Sequence, residues 1–522
     1  MEERHILCID LKSFFASVEC VERNLDPFTT PLVVADPARG GGAITLAVTP
    51  YMKTFGVPSR GRVFEIPKGV KYITAKPRMS LYVKKSKEVI NVFLDFVAKE
   101  DMHVYSIDES FLDVTDYLKL YKLDDVSLAK KIMSTIKERT GLTSTCGIGP
   151  NLLLAKVALD TESKHSPDFI AKWTYADVQT KLWNISPLDE MWGIGSKTMK
   201  KLNDLGIKKV GDINKYPKDF YKKRFGVLGE ELYMHANGID TSNIRENNFE
   251  SKNKSYGLSQ ILYKDYDAEE ALLIVKEMCF VVSKRLRKNK KSTSSVGFGI
   301  GYSRSVGGGF YHTRKLSSAT DNENKIYEAC KYIYDAFIED LPIRKISISL
   351  GKLENTNYEQ LNLFETVSEE VKDNTISDVL DDITKKYGDN SILKASSLLN
   401  YSTIKNRNTK MGGHNKEWFK MDRGMIKWKP FNTLLNSNDM HMIEMERKKI
   451  DKPVIMEDRI FEINDVLTMA ITENMQIRVK YFSKGFLLSK SGIIDKVNTL
   501  EKYILVNNAR IYFRDIINIT YE

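Results

Sequence analysis

Short apolar runs separated by polar turns mark the first third of the chain. Ile6 to Ile9, Ile44 to Val48, Val104 to Ile107, Phe111 to Val114 and Thr145 to Ile148 each read as a strand. Between the last two of these, Val126, Ala129, Met133 and Ile136 recur at three- and four-residue spacing, which predicts an amphipathic helix. Strands alternating with helices up to about residue 170 predict an α+β core. Residues 171 to 240 turn helical and compact, and the polar stretch Asp240 to Asn248 reads as a linker.

Residues 255 to 353 follow a β-α-β-β-α-β rhythm. The first helix places Ala271, Leu272, Val275, Met278, Cys279, Val282 and Leu286 on one stripe. Thr320 and Glu323 form an expected capping box for the second, with Ile326, Cys330, Ile333 and Phe337 inward. The last strand alternates, Ile346, Ile348 and Leu350 against Ser347 and Ser349. Far downstream, Ile460, Ile463, Leu467 and Ala470 mark a helix. Short strands follow around Ile477 to Phe482, Phe486 to Leu488, Ile493 to Val497, Ile504 to Val506 and Ile511 to Phe513, a spacing that predicts a small β-barrel.

Composition adds bounds. At 522 residues, 42% hydrophobic and 28% charged, the chain reads as a string of soluble modules. Its net charge of +10 suits a polyanionic partner only where cations cluster. Five dispersed cysteines without CxxC spacing indicate neither a disulfide framework nor a zinc site, so a reducing cytoplasm is expected. Met1 to Arg4 do not lead into an apolar core and no apolar stretch is long enough to cross a bilayer, so neither secretion nor a membrane partner is expected.

Two acidic clusters carry the chemistry: Asp10 at the end of the first apolar run, and Asp108 with Glu109 almost a hundred residues on. Each lies at or beside a strand, and together they look like two halves of one divalent-metal site, since hard cations take oxygen ligands from rigid neighbouring strands. The segment Asp10-Leu11-Lys12-Ser13-Phe14-Phe15-Ala16-Ser17-Val18-Glu19 resembles the opening motif of Y-family translesion DNA polymerases. Ser106-Ile107-Asp108-Glu109-Ser110 resembles that family's second acidic motif, and Cys146-Gly147-Ile148-Gly149-Pro150-Asn151 through Lys156 falls in order downstream. The closest resemblance is to the UmuC branch of Gram-positive bacteria and their mobile elements, over roughly residues 1 to 415.

That resemblance implies a right-hand polymerase that adds dNTPs to a primer 3′-hydroxyl on template DNA, error-prone and suited to translesion synthesis. It implies a palm at 1–14 and 76–170, fingers at 15–75, a thumb at 171–240, a linker at 241–252 and a ferredoxin-like little finger at 253–356. Asp10, Asp108 and Glu109, with the backbone oxygen of Leu11, would hold two Mg²⁺ ions, for which Mn²⁺ can substitute. Phe15 takes the place of the sugar gate against ribonucleotides, with Phe14 beside it in the nucleotide site. The family's triphosphate Tyr and Arg slots hold Pro50 and Lys53, with Tyr51 one position off. Lys53 keeps charge without the bidentate fork of Arg. Another family Lys corresponds to Lys164, its register shifted by one.

DNA contacts are expected at Gly193, Gly195, Lys197 and Lys201, whose Gly-Ile-Gly turn fits a helix-hairpin-helix aiming backbone N–H groups at a phosphate. A second edge is Lys284, Arg285, Arg287, Lys288, Lys290 and Lys291, more cations than a helix C-terminus needs. The tail 357–414 contains Gln360, Leu363 and Phe364, which resemble a peptide that binds the bacterial sliding clamp. Residues 415–522 open on Asp422 to Phe431 and resemble the YolD-like family. With 18 Lys and Arg against 15 Asp and Glu, this unit reads as a protein-interaction module, with a recombinase filament or other damage-response protein as its expected partner. A non-catalytic DNA- and clamp-binding accessory factor is the competing class; it would lack the carboxylates.

Overall fold

The computed structural model describes residues 4–245, 254–355, 367–411, 414–415, 457–473, 475–483, 485–498, 501–507 and 509–521. Two compact units divide the chain, Met1–Leu434 and Leu435–Glu522.

The first unit opens on a five-stranded sheet in the order Met102–Val104, Glu109–Asp113, Ile6–Leu11, Ser144–Gly149, Ile170–Lys172. All neighbours are antiparallel except the last pair. Ile6 to Ile9 are buried at its centre, as a strand flanked on both sides requires. The helix Leu152–Ala158 lies directly on this sheet, with Leu152 and Ala155 against Ile6, Cys8 and Phe111. Gly147 and Gly149 permit that approach, because a Cβ at Gly147 would stand 2.1 Å from the Ala155 carbonyl oxygen.

The helix Asp125–Thr140 forms, with its buried face a little rotated from expectation: Leu128, Ala129, Ile132 and Ile136 are buried, while Val126 and Met133 sit at its margin. Asp125 is buried too, held by Lys172 at 2.8 Å and His5 at 2.7 Å. The strand expected from Ile44 to Val48 shrinks to Ala47–Val48. It joins Leu32–Val34 and Ile73–Ala75 in a small sheet whose core includes Val33, Val48 and Met52. Short helices then bury Leu182, Leu188, Leu202, Ile207 and Ile213 around Tyr221.

Residues 256–355 realise the β-α-β-β-α-β rhythm as a four-stranded sheet, Gly309–Thr320, Lys291–Tyr302, Ile343–Asn355, Tyr256–Tyr266, carrying the helices Ala268–Lys288 and Glu323–Phe337. Ile346, Ile348 and Leu350 are buried as expected. Two details differ. Asn322, not Thr320, caps the second helix, accepting from the N–H groups of Asn324 and Lys325. Phe337 is 44% exposed, and its ring stacks on His312 at 3.8 Å instead of entering the core.

Beyond this sheet, the described part of 367–411 packs back onto the helix Ala268–Lys288 where the sequence suggested only a tail. Ser402 and Thr403 donate to the buried Glu277 carboxylate, and Ile404 is buried. In the second unit, the helix Glu457–Thr472 and two three-stranded sheets share a core that includes Leu467, Ile477, Ile504 and Ile519. The expected barrel does not close among the described residues: Phe486–Gly492, Ile477–Ser483 and Ile516–Tyr521 form one sheet, Ile494–Asn498, Tyr503–Val506 and Ala509–Tyr512 the other.

Candidate active site

The acidic clusters meet on paired strands. Asp10 stands opposite Glu109 in the antiparallel register, and the N–H of Leu11 donates to the Asp108 carbonyl at 2.9 Å. Burial and then the charge of Asp108 push the Asp10 carboxyl up to about 7, with Lys164 opposing and Glu109 adding. Asp108 and Glu109 thus add to burial in disfavouring a charged Asp10, against the opposing charges of Lys164 and Lys156. Asp108 accepts from the Ser106 hydroxyl at 2.6 Å. Glu109 is held by Lys156 Nζ, 2.8 Å from Oε1 and 2.9 Å from Oε2, and by the Cys8 thiol at 3.1 Å. Lys156 also reaches Asp160 at 3.0 Å. Among the described residues no three acidic, His or Cys side chains converge as a finished ligand set. Hard oxygen donors and a carboxyl at the edge of ionisation nevertheless fit a divalent cation, with Lys156 neutralising Glu109 in this arrangement.

Beside the carboxylates, Ser13 adopts a left-handed φ of 49° and starts the helix Phe14–Val21. Phe14 is buried, and Phe15 packs on Tyr82 with 4.8 Å between ring centroids. Tyr82 is pinned by its hydroxyl, which donates to Glu19 Oε1 at 2.7 Å. Glu19 is fully buried and also receives Arg78 through Nε at 2.9 Å and Nη2 at 2.7 Å, with Arg23 alongside. Burial opposes its ionisation, but hydrogen bonds from Arg78, Tyr82 and Arg23 win and hold its carboxyl below the usual range. Sequence reading missed Tyr82 and the role of Glu19, because the partners lie about sixty residues away in the chain. Glu19→Ala is expected to lower stability by about 3 kcal/mol, leaving Arg78 without its buried counter-charge; denaturant melts against wild type measure it.

Lys53 lies on the short helix Pro50–Thr54, whose Thr49 cap accepts from Met52 N–H. Tyr51 sets its ring edge-on against Phe55, 5.1 Å between centroids. Lys164 directly follows a five-residue π-turn, Leu159–Ser163. Its ammonium bonds Asp160 Oδ1 at 2.8 Å and bears electrostatically on both Asp10 and Lys53.

Comparison with known proteins gives the chain its relatives. The impB/mucB/samB family matches residues 9–160 and its C-terminal domain matches 253–363. The Bacillus subtilis protein UvrX is 39% identical over 414 residues, covering 79% of this chain and 97% of that protein. The chain belongs to the impB/mucB/samB family of Y-family DNA polymerases. DNA polymerase IV 2 of Bacillus subtilis is similar to this polymerase at 31% identity over 421 residues, 80% of this chain and 100% of the relative. A Y-family DNA polymerase chimera of known structure shares the fold, with a TM-score of 0.54 and 22% identity over 67% of this chain and 99% of the chimera. The family's helix-hairpin-helix motif matches 175–207, and a YolD-like model matches 437–520. The chain is thus a DNA-directed DNA polymerase, of a family that uses divalent metal ions, primer-template DNA and dNTPs. Among the described residues no helix is long and apolar enough to cross a membrane.

The remaining candidate residues of the polymerase fall in different surroundings. Gly193, at φ 92°, makes the hairpin turn, and Gly195 precedes the helix Ser196–Asn203, where Lys197 and Lys201 are exposed. The basic edge is more engaged than its sequence suggests. Lys284 pairs with Asp389 at 2.9 Å and Arg287 with Asp381 at 2.8 Å, both carboxylates from the returning segment. Arg285 donates to the Gly257 carbonyl at 3.0 Å and Lys291 to Asn355, while Lys288 and Lys290 are exposed. Gln360, Leu363 and Phe364 lie outside the described residues.

Proposed function

We propose that this polymerase carries out error-prone translesion synthesis by two-metal nucleotidyl transfer. One observation carries the reading: Asp10 and Glu109 face each other on paired strands with Asp108 adjacent, and burial, then the charge of Asp108, lifts the Asp10 carboxyl to about 7. Two Mg²⁺ ions, or Mn²⁺ in their place, would lower the pKa of the primer 3′-hydroxyl and neutralise the triphosphate and departing pyrophosphate. Asp10, Asp108, Glu109 and the Leu11 carbonyl would hold them; Ser106 orients Asp108, and Lys156 is paired with Glu109 until then. Phe15, backed by Tyr82, lies against the deoxyribose and excludes a 2′-hydroxyl. The backbone of Phe14 at the helix start, with Lys53 and Lys164, receives the phosphates. The hairpin at Gly193 and Gly195 with Lys197 and Lys201, and the outer cations Lys288 and Lys290, track the DNA backbone independently of sequence.

Primer extension on undamaged and abasic templates tests this directly; a protein that binds primer-template without extending it fits the accessory class instead. The metal step has a pH signature. The cation must displace a proton from Asp10 below about pH 7, so apparent affinity falls by up to about tenfold per unit there. In the metal-free chain the raised pKa has the opposite consequence: its stabilising effect is present below the usual carboxylate range and is lost as pH rises through about 7. Mg²⁺ titrations by calorimetry on both sides of neutrality, alongside melting curves without metal, check both signs.

Gln360, Leu363 and Phe364 dock the bacterial sliding clamp, with the two apolar side chains as anchors. Their triple Ala variant is expected to lose stimulation by the clamp while basal extension persists; equal clamp affinity in pull-downs places docking elsewhere. The YolD-like unit recruits a recombinase filament or other damage-response protein, and fusion raises that partner's effective concentration at the polymerase, within the cytoplasm.

A further inference from the structure

Lys12 comes two residues after Asp10, where its backbone N–H donates to the Thr143 carbonyl at 2.9 Å and fixes the end of the central strand. Its side chain does something the strand does not require. The ammonium donates to the Lys164 carbonyl at 3.2 Å and stands 3.9 Å from the centroid of the Phe169 ring. Among the described residues it forms no ion pair, although Asp10 is close enough to act on its charge. Phe169 has a left-handed φ of 59°, a conformation a bulky residue seldom adopts, and its ring also stacks on Phe28 at 6.2 Å. Backbone strain is thus accepted at the residue whose ring lies under the ammonium.

The surroundings give that position a purpose. Lys53 and Lys164 both bear electrostatically on Lys12, whose ammonium lies 3.2 Å from the Lys164 carbonyl oxygen, so three lysines from three parts of the chain act on one another near Asp10. Asp160 and Asp10 offset this repulsion at Lys164, and a group with several anionic oxygens would offset it at Lys12 and Lys53 as well. Next to Lys12, the Ser13 hydroxyl is buried without a hydrogen-bond partner at the start of the helix Phe14–Val21.

We infer that Lys12 is a third phosphate-contacting lysine, binding the triphosphate of the incoming nucleotide together with Lys53 and Lys164, with Phe169 as the shelf that positions its ammonium. The inference rests on the nucleotidyl-transfer reading above and names a contact that reading does not include. Three ammonium groups are point charges, so the site recognises phosphate charge more than phosphate geometry.

The test uses the full chain with primer-template and Mg²⁺. Lys12→Met keeps an apolar stem on Phe169 and removes the charge. It is expected to raise the KM for dNTP about tenfold with kcat within about threefold, and to weaken inhibition by inorganic tripolyphosphate to the same degree. Lys12→Arg recovers most of both, and Phe169→Leu shifts both in the direction of Lys12→Met by less. A purely structural role moves stability without this KM-against-kcat split. Unchanged KM and unchanged tripolyphosphate inhibition in Lys12→Met, with wild type extending normally, overturn the inference and leave the polymerase reading intact. A wild type that extends no primer overturns that reading instead. A second measurement needs no variant: tripolyphosphate is expected to protect Lys12 of the wild type from reductive methylation, read by mass spectrometry. Equal labelling with and without it overturns the inference.

Discussion

Replacing Asp108 and Glu109 together by Ala is expected to abolish Mg²⁺-dependent extension, a loss of at least about a thousandfold, while primer-template affinity stays within a few-fold. The two effects separate because the carboxylates sit on the central sheet, whereas the expected DNA grip is electrostatic and lies on the hairpin and the outer basic edge. The variant also removes the principal partner of Lys156, which retains Asp160. Asp108→Asn with Glu109→Gln therefore belongs beside it: these replacements keep the shape, and the same loss of extension with a near-native melting temperature isolates chemistry from folding. Full extension by either double variant sinks the two-metal assignment.

Phe15→Ala is expected to relax discrimination against ribonucleotides by about a hundredfold, with deoxynucleotide incorporation much less affected. A gate must be rigid as well as large. Phe15 rests on Tyr82, and Tyr82 is tied to a buried Glu19 that Arg78 grips through two nitrogens, so the ring cannot easily yield to a 2′-hydroxyl. Tyr82→Phe, which deletes only the tie, is expected to relax the gate in the same direction and by less. Incorporation of each dNTP and its rNTP on one template measures both, and unchanged discrimination in Phe15→Ala returns that residue to an ordinary core role.

Local pattern was enough for much of the architecture. Alternation at Ile346, Ile348 and Leu350 and the apolar stripe from Ala271 to Leu286 determine a strand and a helix by themselves, since side-chain period and burial face are properties of the local backbone. The acidic motifs were equally legible because residue type and spacing survive in the sequence. Burial assignments at element ends were less so: Phe337 lies at the last turn of its helix, where tertiary packing and not period decides exposure.

Only the fold could decide which charges are free to act. Lys156 and Glu109 are 47 residues apart, and Tyr82 and Glu19 are 63 apart; nothing local announces either pair. Lys284 and Arg287 read as part of a bare basic edge until the returning segment brings Asp389 and Asp381 to them. The π-turn at Leu159–Ser163 likewise has no local signature in the sequence, and Lys164 follows it and pairs with Asp160. In the C-terminal unit short strands were foreseeable, yet their division into two open sheets, with Ile516–Tyr521 completing one, depends on which edges find partners. Sequence thus determined the elements and the chemistry at hand; tertiary structure decided the pairings, because an ion pair or a strand edge is defined by distance in space and not along the chain.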